Sequence, residues 1–321
     1  MDNSNVDVSV LLITYNPSWE KLELTLDSIL LQTEIKLEII IADDGSEVDL
    51  DGKIIEYFNM NEFANYKFAN SSVNVGTCWN LDNALKIASG KYSKAISPGD
   101  LLFNESTLYN WFEFMEQERC DVSFGDAVYY RFDSEKIKVI HTKNSPVHKH
   151  LFSEDQSRRK TFVNYLLAND TILGATIMMR TELMKKYLAK FIGRVIYAED
   201  YIIRLMLFEN ITVRYFPSSI VWYEYGTGIS TSKIEKWAKL LSMDFDASNE
   251  IIEENNENID SLAKKYKLYL RAVKNRDSTK KIIKCLLFPD TIYWRIRSKL
   301  VKKNAYCQID TSFINQLFLR R

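Results

Sequence analysis

Four clusters of carboxylates, amides and hydroxyls stand out along the chain: Thr14-Tyr15-Asn16, Asp43-Asp44, Asn74-Val75-Gly76 with Ser97-Pro98-Gly99-Asp100, and Glu199-Asp200. Side chains of these types hydrogen-bond polyhydroxylated ligands, hold hard cations through oxygen, and move protons as general acids or bases. Taken singly, each has a plain structural reading, since Asp and Asn make turns after strands and paired acids complement the dipole at a helix N-terminus. A glycoside hydrolase needs two carboxylates flanking the scissile bond, and several are available, but the DDGS and NVG turns would then have no task. No GxGxxG follows the first apolar run and no GxxxxGK[ST] occurs, which removes the usual dinucleotide and P-loop readings. His148-Lys149-His150, with His141 nearby, reads as a solvated loop because no partner ligands stand at a recognisable metal-site spacing.

The elements that position these clusters alternate between short β-branched runs and helical patterns. VSVLLIT at 8–14 reads as a buried strand, and beyond Pro17 and Ser18 the residues Trp19, Leu22, Leu26, Ile29 and Leu30 recur at helical spacing. Strands are also expected at Leu37 to Ala42, Tyr66 to Ala69 and Tyr92 to Ile96, with a helix between the last two capped by Thr77 and ended by Gly90. Strands alternating with helices imply a mostly parallel sheet covered on both faces, so the turns at 14–16, 43–46, 74–76 and 97–100 share one rim at the strands' carboxyl ends. Further on, the sequence predicts a strand over Val122 to Tyr130, a loop through 136–160, and the segment Gly174 to Met179 before a helix from Thr181. A helix over Tyr201 to Phe208 follows, then two closing strands, Thr212 to Phe216 and Ile220 to Tyr223. The pattern turns helical after 232, which sets a boundary between a catalytic body, 1–232, and an extension, 233–321.

The motifs in this order resemble the family 2 glycosyltransferases of the GT-A fold, which run strand-TYN, strand-DDGS, NxG, helix, AxGxY, an acidic metal motif and later an ED pair. The matching stretches are VSVLLITYN at 8–16, IIIADDGS at 39–46, NVG at 74–76, ASGKY at 88–92, SPGD at 97–100 and AED at 198–200. The resemblance spans about residues 6–225. It implies an α/β GT-A fold, a Rossmann-like mixed sheet flanked by helices, with a helical C-terminal extension. It also implies a hexosyl transfer with inversion from a nucleotide-diphosphate donor, a uridine nucleotide sugar, to a glycan or lipid-linked oligosaccharide in bacterial surface-polysaccharide synthesis. By the same resemblance Thr14, Tyr15, Asn16, Asp43, Asp44, Asn74, Gly76, Gly99, Gly174 and Ala175 bind the donor, and Asp100 holds Mn²⁺ or Mg²⁺. Asp200 is then the general base, and Glu199 steadies the acceptor or a loop. The segment Tyr225 to Thr231 resembles a flap over the diphosphate.

Two departures matter. Many members carry DxDD where this chain has SPGD, leaving Asp100 as the single carboxylate, and an Arg-Asn pair where this chain has Leu81 and Asp82. Lys91 and Lys94 are candidates for the missing cationic contact. The eroded motif leaves open a second reading, a catalytically silent nucleotide- or glycan-binding module of the same fold.

Composition bounds the rest. With 321 residues, 46% hydrophobic, 13% aromatic and only 10 Gly, the chain is globular and neither collagen-like nor disordered. Its net charge of −1 conceals segregation, because 261–321 holds 16 basic and 3 acidic residues, a net of +13, so the rest carries −14. Apolar positions Ile282, Ile283, Leu286, Leu287, Tyr293, Ile296 and Leu300, with Trp294 among them and Arg295, Lys299 and Lys302 alongside, suit an anionic membrane surface as well as a helix packed on the body. Nucleic acid is not expected as a partner, since the body is acidic and no recognition motif occurs. Four scattered cysteines without a CxxC pair, no secretory signal and no membrane span fit a cytoplasmic protein, peripheral on the inner face of the plasma membrane.

Overall fold

The strand β1 (Val8–Thr14) forms where seven apolar or hydroxyl-bearing residues run without interruption, and it is buried almost throughout. Its companions are β2 (Leu37–Asp43), β3 (Tyr66–Phe68) and β4 (Tyr92–Ile96). The structure, a computed structural model, describes residues 6–133, 136–140, 146–153, 157–226, 228–229, 234–274, 279–301 and 309–319. His141, Cys307, Lys302 and part of the 225–231 segment lie outside them. The first four strands run parallel in the order β3-β2-β1-β4. The sheet then turns mixed through β5 (Leu101–Leu102), β6 (Val122–Asp133), β7 (Lys136–Val139), β8 (Ile177–Arg180) and β9 (Arg214–Glu224), with β8 antiparallel to both β4 and β6.

The two-residue period of the strands divides the core between the faces. Val8, Val10, Leu12, Ile39 and Ile41 meet α1 (Trp19–Leu30), α2 (Asp51–Met60) and α4 (Thr107–Gln117) through Leu22, Leu26, Phe58 and Trp111. Leu11 and Ile40 face the other way, toward α3 (Thr77–Ile87), α5 (Arg158–Leu166), α6 (Thr181–Ala189) and α7 (Ile202–Phe208). That second core continues past residue 233 into α8 (Glu235–Glu254), α9 (Ser261–Val273), α10 (Lys280–Leu287) and α11 (Asp290–Leu300), through Ile252, Ala263, Tyr266, Phe288 and Trp294. The last helix, α12 (Ser312–Leu319), packs elsewhere, with Phe313, Ile314 and Leu317 against Leu24, Val128 and Trp222.

Several local expectations are corrected. Thr77 is the first helical residue of α3 and not its cap, because Gly76, at φ +89°, takes the cap position. The two closing strands are one, β9, which crosses Pro217 where the β6–β9 register shifts near Gly125. At Gly125 a Cβ would meet Ser218 O and Ile220 Cγ2, each at 2.8 Å, so the bulge needs a glycine there. The loop expected through 136–160 contains β7, a 3₁₀ turn at Lys149–Phe152 and the start of α5. His148 is not solvated. Its side chain is buried, its Nε2 lies 3.0 Å from Ser298 Oγ, and its ring packs on Trp294, so it helps dock α11.

Candidate active site

Parallel pairing of β1 and β2 sets Thr14 opposite Asp43, so the turns that follow them abut. Thr14 Oγ1 donates to Asp43 Oδ1 at 2.7 Å, and Ser46 donates to the same carboxylate through Oγ at 2.6 Å and N–H at 2.7 Å. The Asn16 N–H donates to Ser46 Oγ at 2.7 Å while Asn16 Oδ1 accepts the Glu47 N–H at 2.8 Å, with Asn16 at φ +45°. Asp44 turns inward. Its carboxylate accepts the N–H groups of Val75 and Gly76 at 2.7 and 2.9 Å, tying the NVG turn to the DDGS turn, and burial raises its pKa. Tyr15 and Asn74 stay exposed on the rim beside these turns.

Gly99 and Asp100 close the far side of the rim. Gly99, at φ +99°, donates its N–H to Thr25 Oγ1 at 3.0 Å and accepts from the Tyr130 hydroxyl at 2.5 Å. Asp100 Oδ1 accepts the Glu224 N–H at 3.2 Å, and Lys21 Nζ pairs with Glu224 at 2.6 Å. Burial pushes the Asp100 carboxyl up to about 7 and the Lys94 amine down to about 8, the two opposing each other's shift through their charges. Lys91 lies on a different path, paired with Glu116 at 2.6 Å.

The acid pair comes from the opposite direction. Glu199 and Asp200 open a 3₁₀ turn, Glu199–Tyr201, that runs directly into the expected helix, α7. A Cβ at Gly174 would stand 3.2 Å from Asp200 Cβ and 3.4 Å from Glu199 Oε1, so the glycine lets the two segments approach. These three residues line a cavity of about 20 Å³ together with Ser93 and Ala95 of β4. Burial raises both carboxyls, and the neighbouring Asp200 charge raises Glu199 further, while Arg204 favours ionised Asp200. Ala175 packs away from this cavity, against the cluster of Tyr129, Val221 and Tyr223.

The segment leading into the pair is held from afar. Asp244, buried in the middle of α8, accepts the N–H groups of Ile196, Tyr197 and Ala198 at 3.0, 2.7 and 3.0 Å. The Ile196 carbonyl accepts the Cys78 N–H at 3.0 Å, which couples the same segment to the start of α3. Arg204 of α7 is buried, donates to Asn249 Oδ1 at 2.6 Å, and lies over the Phe245 ring at 4.1 Å. None of Asp244, Glu224 and Lys21 emerged from the sequence as a site residue. For Asp244 a signal existed, since it shares one helical stripe with Leu241, Ser248, Ile251 and Ile252, and a carboxylate on an apolar stripe marks a buried partner.

Comparison with known proteins now bears on this geometry. The Glycosyl transferase family 2 profile matches residues 9–188. The chain belongs to that family. The match ends before Glu199, so it covers the turns at 14–16, 43–46, 74–76 and 97–100 and stops short of the acid pair. The first 349 residues of S. aureus TarS in complex with UDP-GlcNAc superpose with a TM-score of 0.52 at 16% identity, covering 91% of this chain and 81% of that one. The same region in complex with UDP gives a TM-score of 0.50 at 15% identity, covering 91% and 80%. A search of curated proteins returns none that matches this chain. The mixed sheet, its flanking helices and the C-terminal helices are those of the GT-A fold, and the family makes this chain a glycosyltransferase.

The residues fit a metal only in part. Among the described residues no group of three His, Cys, Asp or Glu side chains could hold an ion. Asp100 already accepts a backbone N–H through Oδ1, so it would offer one carboxylate oxygen to a cation, which would need its other ligands from a bound diphosphate and water.

Proposed function

We propose that this enzyme transfers a sugar from a uridine nucleotide donor, with inversion, to a glycan or lipid-linked oligosaccharide of a bacterial surface polysaccharide. The observation that carries this reading is the placement of Glu199 and Asp200 against Gly174 and the inner face of β4, on the sheet that carries the donor-side turns. The UDP and UDP-GlcNAc complexes of the S. aureus TarS fold support a uridine donor.

On this reading the TYN and DDGS turns orient the nucleoside. Thr14 and Ser46 hold the Asp43 carboxylate in place, and Asp44 fixes the NVG backbone behind it. Asp200 accepts the acceptor hydroxyl's proton as that oxygen bonds to the anomeric carbon and the bond from that carbon to the diphosphate breaks. Glu199, raised further, stays protonated longer and can donate a hydrogen bond to the acceptor. Mg²⁺ or Mn²⁺ shared between Asp100 and the diphosphate would stabilise the leaving charge as a Lewis acid. A lipid-linked acceptor would be met at the inner face of the plasma membrane, the setting suggested by the basic C-terminal helices. No helix among the described residues is long and apolar enough to cross a membrane.

Thermal-shift titration with UDP, GDP and dTDP sugars, with Mn²⁺ or with EDTA, tests the donor and the cation. At a hundredfold excess over its dissociation constant a ligand adds about 2.7 kcal/mol, so a UDP-specific rise in Tm is expected. NMR of the product from the active donor should show the inverted anomer, and a retained anomer would overturn the single-displacement mechanism.

A further inference from the structure

The helices α10 and α11 form a hairpin with two chemically opposite faces. Its inner face is committed to the body. Phe288, Thr291 and Trp294 are buried, Arg159 binds Asp290 through two hydrogen bonds at 2.8 and 3.0 Å, and Lys284 Nζ donates to the Leu167 carbonyl at 3.1 Å. With the His148–Ser298 contact, these interactions fix the hairpin in orientation. Asp290, the one acidic residue between 280 and 300, is thereby turned onto Arg159.

The outer face is what a packed helix does not need. Leu286 is 76% exposed, Leu300 75%, Ile282 61% and Ile296 54%, at spacings that align them along the two helices. Between the helices runs a cleft of about 220 Å³, with Lys281, Arg295 and Lys299 around it and Ile292 and Ile296 in its wall. Cations around an apolar-walled cleft, beside a ridge of exposed aliphatic side chains, match a surface with phosphates at one level and acyl chains just beneath.

We propose that the outer face of the α10–α11 hairpin docks on an anionic phospholipid bilayer, with lipid phosphates held by Lys281, Arg295 and Lys299 and with Leu286, Ile296 and Leu300 entering the acyl boundary. This deepens the reading of a transferase with a lipid-linked acceptor and rests on it for its purpose. The lipid contact itself is set by charge and exposed apolar surface. The hairpin's rigid attachment then fixes how the catalytic body stands over the membrane.

Sedimentation of the full chain with vesicles tests it, using phosphatidylglycerol mixed into phosphatidylcholine against phosphatidylcholine alone. Binding is expected only with phosphatidylglycerol and should fall as salt is raised. Combining Lys281→Glu, Arg295→Glu and Lys299→Glu should lower partitioning by about two orders of magnitude, since each basic residue contributes about a factor of five. Leu286→Asp with Ile296→Asp should lower it as well, and provides a second variant should the first fold poorly by circular dichroism. Equal sedimentation with both vesicle types, or unchanged binding in both variants, would overturn the proposal. So would a chain that ignores all vesicles while inorganic phosphate raises its Tm through the same three cations, which would make the cleft a free-phosphate site. UDP release from donor, measured on the same preparations, separates the two readings: intact release without vesicle binding removes only the docking, and vesicle binding without release removes only the transferase assignment of this site.

Discussion

The rim of turns proposed to bind the donor and the acid pair are built in contrasting ways. The turns at 14–16, 43–46 and 74–76 close on one another, as Asp43 does on Thr14 and Ser46 and as Asp44 does on Val75 and Gly76, whereas Gly99 and Asp100 are held by Thr25, Tyr130 and Glu224. The acid pair sits on a short 3₁₀ turn whose approach, 196–198, donates its N–H groups to Asp244, on a helix packed from the C-terminal side. On the proposed reading, nucleotide recognition is built on turns that brace one another along the edge of the sheet, and proton transfer on a segment stabilised by the later helices. Changes on one side should leave the other side's function standing.

The largest separation is expected from Asp200→Asn. Asn keeps the shape and hydrogen-bonding reach of the side chain but cannot take a proton at neutral pH, so turnover should fall about 10²- to 10⁴-fold while UDP affinity by calorimetry barely changes. Glu199→Gln should cost less. The reverse order would reassign the base to Glu199, and full activity in both variants would reduce the pair to a helix-end feature.

Next comes Asp244→Ala, which touches neither substrate nor donor rim. It strands three N–H groups, at about 1–3 kcal/mol for each that water does not reach, so the melting temperature should drop by several degrees and turnover should fall with UDP affinity retained. Loss of UDP binding in a folded variant would show that the two regions are not separable. The mirror experiment is Gly45→Ala. Gly45 sits at φ +71°, and a Cβ there would come within 2.5 Å of the Val73 backbone, which must shift and carry the NVG turn with it. The left-handed conformation alone costs about 1–2 kcal/mol, so UDP affinity should weaken about tenfold while turnover at saturating donor holds. Unchanged affinity would detach the NVG turn from the nucleotide.

The smallest effect concerns stability against pH. Burial keeps Glu199 and Asp200 protonated to higher pH in the fold than in the unfolded chain. Their contribution to stability is therefore complete below the ordinary carboxylate range and declines as pH rises through the raised values. Glu199→Gln removes that decline, so this variant should melt above the parent at neutral pH and lose the advantage in acid. An advantage that persisted in acid would mean repacking and not titration.

The contrast also explains what could be read in advance. The strand and turn sequence around VSVLLITYN and IIIADDGS is legible because period-two burial and Asp-Gly turn chemistry act over a few residues. The inward role of Asp44 was not, because the distance to Val75 and Gly76 is set by strand pairing and not by spacing along the chain. The same holds for β9, where Pro217 reads as a break but a bulge opposite it carries the strand through. His148 carries a polar signature among polar neighbours, and only the docking of α11 buries it.

By itself the sequence determined the alternating α/β order, the shared rim of turns, the candidate donor residues and a basic C-terminal region on an acidic body. The order, the rim and the charge follow from periodicity, turn-forming residues and composition, which are local or additive properties, whereas the candidate donor residues rest on the resemblance of the ordered motifs to the family. Only the tertiary structure decided that Gly174 meets the acid pair, that Asp244 secures the segment before it, and that the basic region splits into the core-packed α9, the outward-facing α10–α11 hairpin and the separately packed α12. The physical reason is that a buried carboxylate or a missing Cβ acts through what lies a few ångströms away in space, and chain separation between such partners is unconstrained once the core has closed around them.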